Sequence, residues 1–140
     1  MKVKEIMTSP VEEIGADAKV FQAAKMMKML NIGVLPVIRG EEIVGIVTDR
    51  DIAIRVVAER LDPQKTPVGQ VMTAEVICCS EDTTIEEAAG LLEENQVHRL
   101  LVLSNNKVCG IISIADVVRN INNDRLIREI LQSICEPAHA

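Results

Sequence analysis

Residues 45–52 read GIVTDRDI, and residues 110–117, which lie 65 positions later, read GIISIADV. Each phrase contains a glycine, an apolar pair, a hydroxyl residue and, three residues after the hydroxyl, an aspartate. The apolar residues before the hydroxyl predict the end of a strand, and the apolar-periodic residues after the aspartate predict a helix. The sequence therefore predicts a strand-to-helix junction that occurs twice.

The repetition extends well beyond this phrase. Residues 3–52 align without a gap on residues 68–117 at the same offset of 65, with twelve identical positions. Most other apolar positions keep their class, for example Ile6 with Val71. A match of this length indicates a duplicated structural unit.

Both copies have the same predicted order of elements. Apolar residues recur at helical spacing in 20–30 and 85–95, which predicts a helix with one buried face in each copy. Two apolar strands joined by a polar turn follow at 33–48 and 99–113, as is typical of a hairpin. Each copy is therefore predicted to run strand, helix, strand, strand, helix.

The helix boundaries have predicted signals of their own. Asp17 in the first copy, and Asp82 with Thr83 in the second, are predicted as N-caps of the first helices because their side chains accept hydrogen bonds from free backbone amides. The second helices are predicted at 52–61 and 117–131.

We expect an α/β (α+β) fold with two βαββα repeats packed sheet to sheet, because a half of about 60 residues cannot cover its own sheet. The predicted borders are 1–60 for repeat 1, 61–67 for a linker, 68–122 for repeat 2 and 123–140 for a C-terminal helix and tail. The linker sequence, LDPQKTP, has the proline-rich polar composition of a connector.

Composition excludes several classes of partner. The net charge of −6 and the pI near 5.0 argue against general binding to nucleic acid or to an anionic membrane, since both need a basic face. Phe21 is the single aromatic residue of the 140, so a base-stacking platform is not available. Without a signal peptide or a membrane-spanning stretch, a cytoplasmic soluble protein is expected.

The cysteines do not indicate a metal centre. Four cysteines occur without a CxxC pair, and only two histidines accompany them, so no metal site is predicted. Buried free thiols are expected, while a disulfide involving Cys135 stays open.

The repeated phrase allows two interpretations. The Thr48 hydroxyl and the Asp51 carboxylate have the spacing of a capping box at a helix start. The same carboxylate could instead accept two hydrogen bonds from the vicinal diol of a ribose, while the free amides of the helix start attract phosphate. The first interpretation is structural and the second predicts a nucleotide site.

Several motifs together resemble a known family. The order VKEIMT, NIGVLPV, VGIVTDRDI, repeated as VGQVMT, QVHRLLV, CGIISIADV, is similar to a tandem pair of CBS domains, also called a Bateman module, over about residues 1–122. The resemblance implies pseudo-twofold packing of the repeats and a disc-like homodimer. It also implies clefts between the repeats that bind AMP, ADP, ATP or S-adenosylmethionine. Asp49 beside Asp51 adds negative charge, so a polyphosphate there would need Arg50 or Mg²⁺ to compensate. The connecting and closing segments are similar to those of hypoxic-response and stress-type members.

The family motifs carry over to two groups of residues in this sequence. The first group has Ser113 and Asp116 for phosphate and ribose, His98 and Arg99 for phosphates, Ile111 for the base, and as adenine-side neighbours Ala16, Ile32 and Gly33. The second group comprises Ile46, Thr48, Arg50, Asp51, Val97 and the backbone near Cys78. The cations are unevenly divided, because Gly33 and Val34 stand where the other repeat has His98 and Arg99.

The leading functional prediction is a regulatory module that senses an adenosyl ligand and acts on an unknown regulated protein. The alternative is a homodimeric interaction or stress-response module whose clefts stay empty. An enzyme is not expected, since no nucleophile elbow or glycine-rich phosphate loop is present. No cofactor is expected to be required.

Overall fold

The computed structural model describes residues 1–134, with only the backbone at position 134. The chain divides into two compact units. Glu12–Val76 form one of them, the continuous unit, while Met1–Val11 together with Ile77–Ala140 form the other, the discontinuous unit.

The continuous unit contains a three-stranded sheet in the order β1-β2-β3. Strand β1 runs parallel to β2, and β2 pairs with β3 in an antiparallel hairpin. Its elements in chain order are β1 (Ile14–Gly15), α1 (Val20–Leu30), β2 (Val34–Arg39), β3 (Glu42–Thr48), α2 (Asp49–Ile52), a π-helical turn (Ala53–Val57) and α3 (Val68–Val71).

The core of the continuous unit lies between its helices and one face of the sheet. Val20, Ala23 and Met27 recur on one side of α1 and are buried in the same cluster as Leu35 and Val47. This spacing of three and four residues gives an amphipathic helix its buried stripe.

The discontinuous unit repeats this plan with the strand order β4-β5-β6. Again the first strand is parallel and the last two are antiparallel. Its elements are a 3₁₀ turn (Val3–Glu5), β4 (Cys78–Ser80), α4 (Ile85–Asn95), β5 (Arg99–Ser104), β6 (Lys107–Ser113), α5 (Ile114–Asn120) and α6 (Asp124–Ile134).

Helix α6 belongs to the core of this unit. Ile130 is fully buried in a cluster that also contains Leu92 of α4 and Ile112 of β6. Leu126 and Ile127 pack against the same cluster. The discontinuous unit therefore has a third helix over its sheet.

The α/β class and the strand, helix, strand, strand, helix order are confirmed in both repeats. Both hairpins close through two residues, between Arg39 and Glu42 and between Ser104 and Lys107. Asn105 and Asn106 both have positive φ angles, 53° and 64°, as a type I′ turn requires. No helix within residues 1–134 has both the length and the apolar character needed to cross a bilayer.

The predicted N-caps were wrong. The N-cap residues are Lys19 and Thr84, and only the Thr84 side chain accepts a backbone amide, that of Glu87. Asp82 instead lies 3.3 Å and 3.4 Å from the ammonium groups of Lys4 and Lys2, and this attraction lowers the pKa of its carboxyl. Its side chain is therefore used in ion pairs.

The single helix predicted at 117–131 was also wrong. Helix α5 ends at Asn120, Ile121 is extended with φ −93° and ψ 128°, and α6 begins at Asp124. The Asn123 carboxamide oxygen accepts the Leu126 amide at 3.1 Å, so a new capped helix begins there.

Candidate functional site

The two copies of the repeated phrase form the same backbone junction. Thr48 and Ser113 are both extended, with ψ angles of 163° and 164°, at the start of α2 and α5. The Thr48 hydroxyl accepts the Asp51 amide at 3.1 Å, and the Thr48 amide donates to the Asp51 carboxylate at 3.0 Å. The matching distances for Ser113 are 3.2 Å and 2.9 Å to Asp116. The capping interpretation is thus confirmed in both copies.

The Asp51 carboxylate has further partners within the continuous unit. The Thr73 hydroxyl lies 3.2 Å and 3.3 Å from its two oxygens, and Arg55 Nε lies 4.0 Å from Oδ1. The Arg55 guanidinium also donates to the carbonyls of Val71 and Met72 at 3.0 Å and 2.9 Å. Asp51 is 8% exposed, so this carboxylate is both buried and occupied.

The Asp116 carboxylate has a different environment. Its Oδ1 lies 2.6 Å from a guanidinium nitrogen of Arg119, whose side chain is 68% exposed. Within residues 1–134, no side-chain hydroxyl donates to this carboxylate. An ion pair whose guanidinium lies in solvent contributes only about 0–1 kcal/mol, so Arg119 holds Asp116 weakly, although the Asp116 side chain itself is only 14% exposed.

The register of β5 and β6 brings predicted site residues together beside Asp116. Arg99 lies directly opposite Ser113, so their side chains project from the same face of the sheet. His98 precedes β5, and its carbonyl accepts the amide of Ile114, the first residue of α5, at 2.9 Å. Both cationic residues are exposed. Two exposed basic side chains therefore accompany the Ser113–Asp116 pair.

The remaining predicted residues of this unit lie near the same sheet. Ile111 is half-buried on β6, opposite Leu101, and Cys78 on β4 also pairs with Leu101. Val97 is half-buried, and its amide donates to the carbonyl of Leu92 at 3.1 Å, where α4 ends.

The continuous unit holds the other predicted residues around Thr48. The Gly33 carbonyl accepts a hydrogen bond from the Asp49 amide at 3.0 Å. Arg50 is exposed at the start of α2. The side chain of Ile32 is 36% exposed, whereas that of Ala16 is buried in the hydrophobic core. Ile46 exchanges two backbone hydrogen bonds with Thr73, at 2.9 Å and 2.8 Å.

The two junctions differ in the charged residues around the hydroxyl. Asp49 and Arg50 follow Thr48, where the other repeat has Ile114 and Ala115 after Ser113. The Asp49 carboxylate lies over Gly33, and a Cβ added there would be 2.8 Å from its Oδ2. The continuous unit thus presents an acid where the discontinuous unit presents His98.

Sequence reasoning missed the partners of the two carboxylates. Thr73, Arg55 and Arg119 were not predicted as site residues, although Thr73 is identical to Thr8 in the repeat. That identity was the available signal, because a polar residue kept in both copies of a mostly apolar motif has to be accounted for by a contact.

The cysteines in the described chain are free thiols. Burial raises the pKa of the Cys78 and Cys109 thiols, and it raises that of Cys79 to about 11. Residues 1–134 contain no group of three or more potential metal ligands. Cys135 lies outside the described residues, so the question of whether it forms a disulfide stays open.

The family follows from comparison with known proteins. Residues 3–58 and 68–123 each match the CBS domain family. The chain therefore belongs to the CBS domain family and contains two such domains in tandem, which confirms the resemblance. It is 35% identical over 118 residues to the CBS domain-containing protein YhcV of Bacillus subtilis, a match that covers 84% of each chain.

Two further similarities bear on the predicted subgroup and ligand. The chain is 30% identical over 135 residues to Hypoxic response protein 1 of Mycobacterium tuberculosis, covering 96% of this chain and 94% of that protein. It is also similar to the CBS domain pair of protein MJ0100, solved in complex with 5′-methylthioadenosine and S-adenosyl-L-methionine. That likeness has a TM-score of 0.74 at 27% identity and covers 85% of this chain and 94% of the other.

Proposed function

We propose that this protein is a cytoplasmic regulatory module, without catalytic activity of its own, that binds an adenosine-containing ligand at the Ser113–Asp116 junction. One observation carries the proposal: exposed Arg99 lies opposite Ser113 in the β5–β6 register, and the carbonyl of exposed His98 accepts the Ile114 amide at the start of α5. A carboxylate accepts hydrogen bonds from a ribose diol. Basic side chains bind phosphate.

The adenosyl complex of MJ0100 supports this class of ligand. The candidates are AMP, ADP, ATP and S-adenosylmethionine. The basic residues favour the phosphorylated members, since S-adenosylmethionine carries no phosphate.

Thermal unfolding with each compound tests the proposal. A ligand at 100 times its Kd raises the free energy of unfolding by about 2.7 kcal/mol, so the melting temperature should rise. The Asp116→Asn variant should lose the rise, because it removes the charge while keeping the shape. Asp124→Asn, a change at an exposed carboxylate on α6, is the matched control.

A second pair of variants tests the role of the basic residues. His98→Ala with Arg99→Ala should weaken AMP and ATP binding but leave S-adenosylmethionine binding unchanged. If no adenosyl compound changes the melting temperature, and isothermal titration calorimetry also detects no heat, the proposed ligand class is wrong.

A separate observation favours the homodimeric interaction module as the second candidate. Large apolar side chains are exposed in the continuous unit on α1 and the π-helical turn, namely Phe21 (47%), Met29 (73%), Ile54 (46%) and Val57 (69%). The equivalent positions in repeat 2 are all polar: Glu86, Glu94, Arg119 and Asn122. Exposed apolar surface of this kind marks an interaction site.

A second copy of this chain is the proposed occupant, in contact through the same face. These four residues are half of the eight large apolar side chains exposed in residues 1–134, and a two-fold contact pairs a surface with itself. Phe21→Glu with Val57→Glu should convert a dimer to a monomer in sedimentation analysis. Leu131→Glu, at an apolar position of α6 that is 43% exposed, should not. A monomeric wild-type protein contradicts this candidate.

A further inference from the structure

We propose that Thr73 closes the Asp51 copy of the repeated motif, so that the chain binds one adenosyl ligand, at Asp116, rather than two. This inference rests on the proposed function and identifies Thr73 as a positioning residue that decides the number of sites. The family resemblance implies two related sites, because Thr48–Asp51 and Ser113–Asp116 have the same spacing.

The first step concerns the acceptor capacity of Asp51. A carboxylate binds a diol by accepting two hydrogen bonds. One Asp51 oxygen already accepts the Thr48 amide at 3.0 Å, and both lie within 3.3 Å of the Thr73 hydroxyl. Arg55 lies 4.0 Å from the other side of the group. A ribose diol would have to compete with the Thr73 hydroxyl at a buried carboxylate.

The second step concerns the mobility of these partners. Thr73 is fixed by two backbone hydrogen bonds with Ile46, at 2.8 Å and 2.9 Å. Arg55 is fixed by the carbonyls of Val71 and Met72. These bonds hold the Thr73 backbone and the Arg55 side chain beside Asp51, so both partners stay within reach of the carboxylate, and only rotation of the Thr73 side chain would move its hydroxyl away.

The discontinuous unit provides an internal comparison. Thr8 is the equivalent of Thr73 and is fixed in the same way, by hydrogen bonds with Ile111 at 2.9 Å and 3.1 Å. In residues 1–134, however, no bond joins the Thr8 hydroxyl to the Asp116 carboxylate. Asn120 stands at the position of Arg55 and donates to the backbone carbonyl of Asp116 instead.

The partner of the Asp116 carboxylate can be exchanged. Arg119 makes its ion pair from a side chain that is 68% exposed, so water can replace it when a ligand binds. The two junctions therefore differ in the partner of the aspartate. Asp51 is bonded to the Thr73 hydroxyl and is closed to a ligand, whereas Asp116 is bonded to the solvated Arg119 guanidinium and is open.

Calorimetric titration with AMP and with S-adenosylmethionine tests the number of sites. Wild-type protein should bind one ligand per chain. Asp116→Asn should abolish binding, and Asp51→Asn should leave it intact. Thr73→Val keeps the shape of the side chain but removes the hydroxyl, and should raise the stoichiometry from one to two. Thr8→Val is the matched control and should leave it at one.

Two ligands on the wild-type chain, or loss of the single site in Asp51→Asn, would overturn the inference. An unchanged stoichiometry in Thr73→Val would do the same. Two bound ligands, or an unchanged stoichiometry in Thr73→Val, leave the proposed function standing, since a ligand still binds at Asp116. Loss of the single site in Asp51→Asn would also overturn the proposed location of the ligand.

A measurement without ligand tests the contact itself. In a double-mutant cycle, Thr73→Val and Asp51→Asn should lower the urea midpoint non-additively, whereas Thr8→Val and Asp116→Asn should act independently. If the first pair is additive, Thr73 does not hold Asp51 and the inference fails. If the first pair is coupled but no adenosyl compound binds any variant, the proposed function fails, and the claim of one site fails with it.

Discussion

The Asp49 carboxylate lies directly over Gly33, so close that a Cβ on the glycine would be 2.8 Å from Oδ2. The backbones of the same residues are joined by a hydrogen bond of 3.0 Å from the Asp49 amide to the Gly33 carbonyl. The side chain of Asp49 therefore restricts what can stand at position 33, while its main chain fixes the backbone there.

Gly33→Ala should cost little stability, because the obstructing atoms belong to an exposed side chain that can rotate. The lower entropy of the unfolded Ala chain, worth about 0.4–1 kcal/mol, offsets part of the strain. Urea unfolding should show a net change within about 0.5 kcal/mol, as is usual for surface substitutions. In a protein that already carries Asp49→Ala, Gly33→Ala should cause no loss in the free energy of unfolding. If it causes the same loss there as in the wild-type protein, the Asp49 side chain is not the obstruction.

Gly45→Ala should be much more damaging. Its added Cβ would lie 2.6 Å from the Thr73 carbonyl oxygen and 2.8 Å from the sulfur of Met72, and a backbone carbonyl paired with Ile46 cannot rotate away. We expect a loss of about 1–3 kcal/mol in the free energy of unfolding, as in overpacked cores. Gly90→Ala is the control: its Cβ meets nothing within 4 Å in the middle of α4, so it should stabilise by about 0.5–1 kcal/mol.

Lys19→Thr should stabilise the protein. Lys19 and Thr84 occupy equivalent N-cap positions with similar extended backbones, ψ 149° and 159°, but only Thr84 caps its helix through its side chain. A hydroxyl at position 19 should accept the Gln22 amide, the equivalent of the Glu87 amide at Thr84, because the Val20 and Phe21 amides already donate to Thr66 and Pro63. We expect it to contribute about 0.5 kcal/mol. The reverse change, Thr84→Lys, should destabilise by about as much. Equal thermal midpoints for wild type and Lys19→Thr would show that α1 gains nothing from a side-chain cap.

Because the pKa of the Cys79 thiol is raised, we expect the free energy of unfolding to fall in alkaline solution. Burial raises its pKa from 9.0 to about 11 in the folded chain. Between these values the folded state binds more protons than the unfolded state, so stability falls as pH rises. The contribution of this thiol to the free energy of unfolding is complete below pH 9.0 and is lost as the pH rises toward about 11.

Urea unfolding between pH 8 and pH 11 measures this slope, and Cys79→Ala should reduce it. Cys109→Ala is the comparison, since burial raises the pKa of that half-buried thiol as well. If Cys79→Ala retains the full wild-type slope, other groups cause the alkaline loss.

The order of elements was predictable because it depends on local periodicity. The buried positions of α1 recur every three or four residues, and the same pattern in α4 gave the matching helix. The hydroxyl–aspartate capping was also predictable, since its partners lie three residues apart in the chain.

Contacts between distant residues were not predictable in this way. Helix α1 begins without a side-chain cap because its first amides donate to distant carbonyls, Val20 to Thr66 and Phe21 to Pro63, both at 2.9 Å. The local sequence, with Asp17 nearby, gave no sign of these acceptors. The contact of Thr73 with Asp51 is of the same kind, because 22 residues separate them.

The discontinuous unit also has a consequence for the order in which the protein folds during synthesis. Every residue of the continuous unit has left the ribosome once position 76 has emerged, so that unit can fold while the second repeat is still being translated. Val3 and Thr8, which are translated before the continuous unit, must wait for Thr83 and Ile111, to which they are hydrogen-bonded at 2.8 Å and 2.9 Å. A segment that is made before the continuous unit thus reaches its place after that unit can fold.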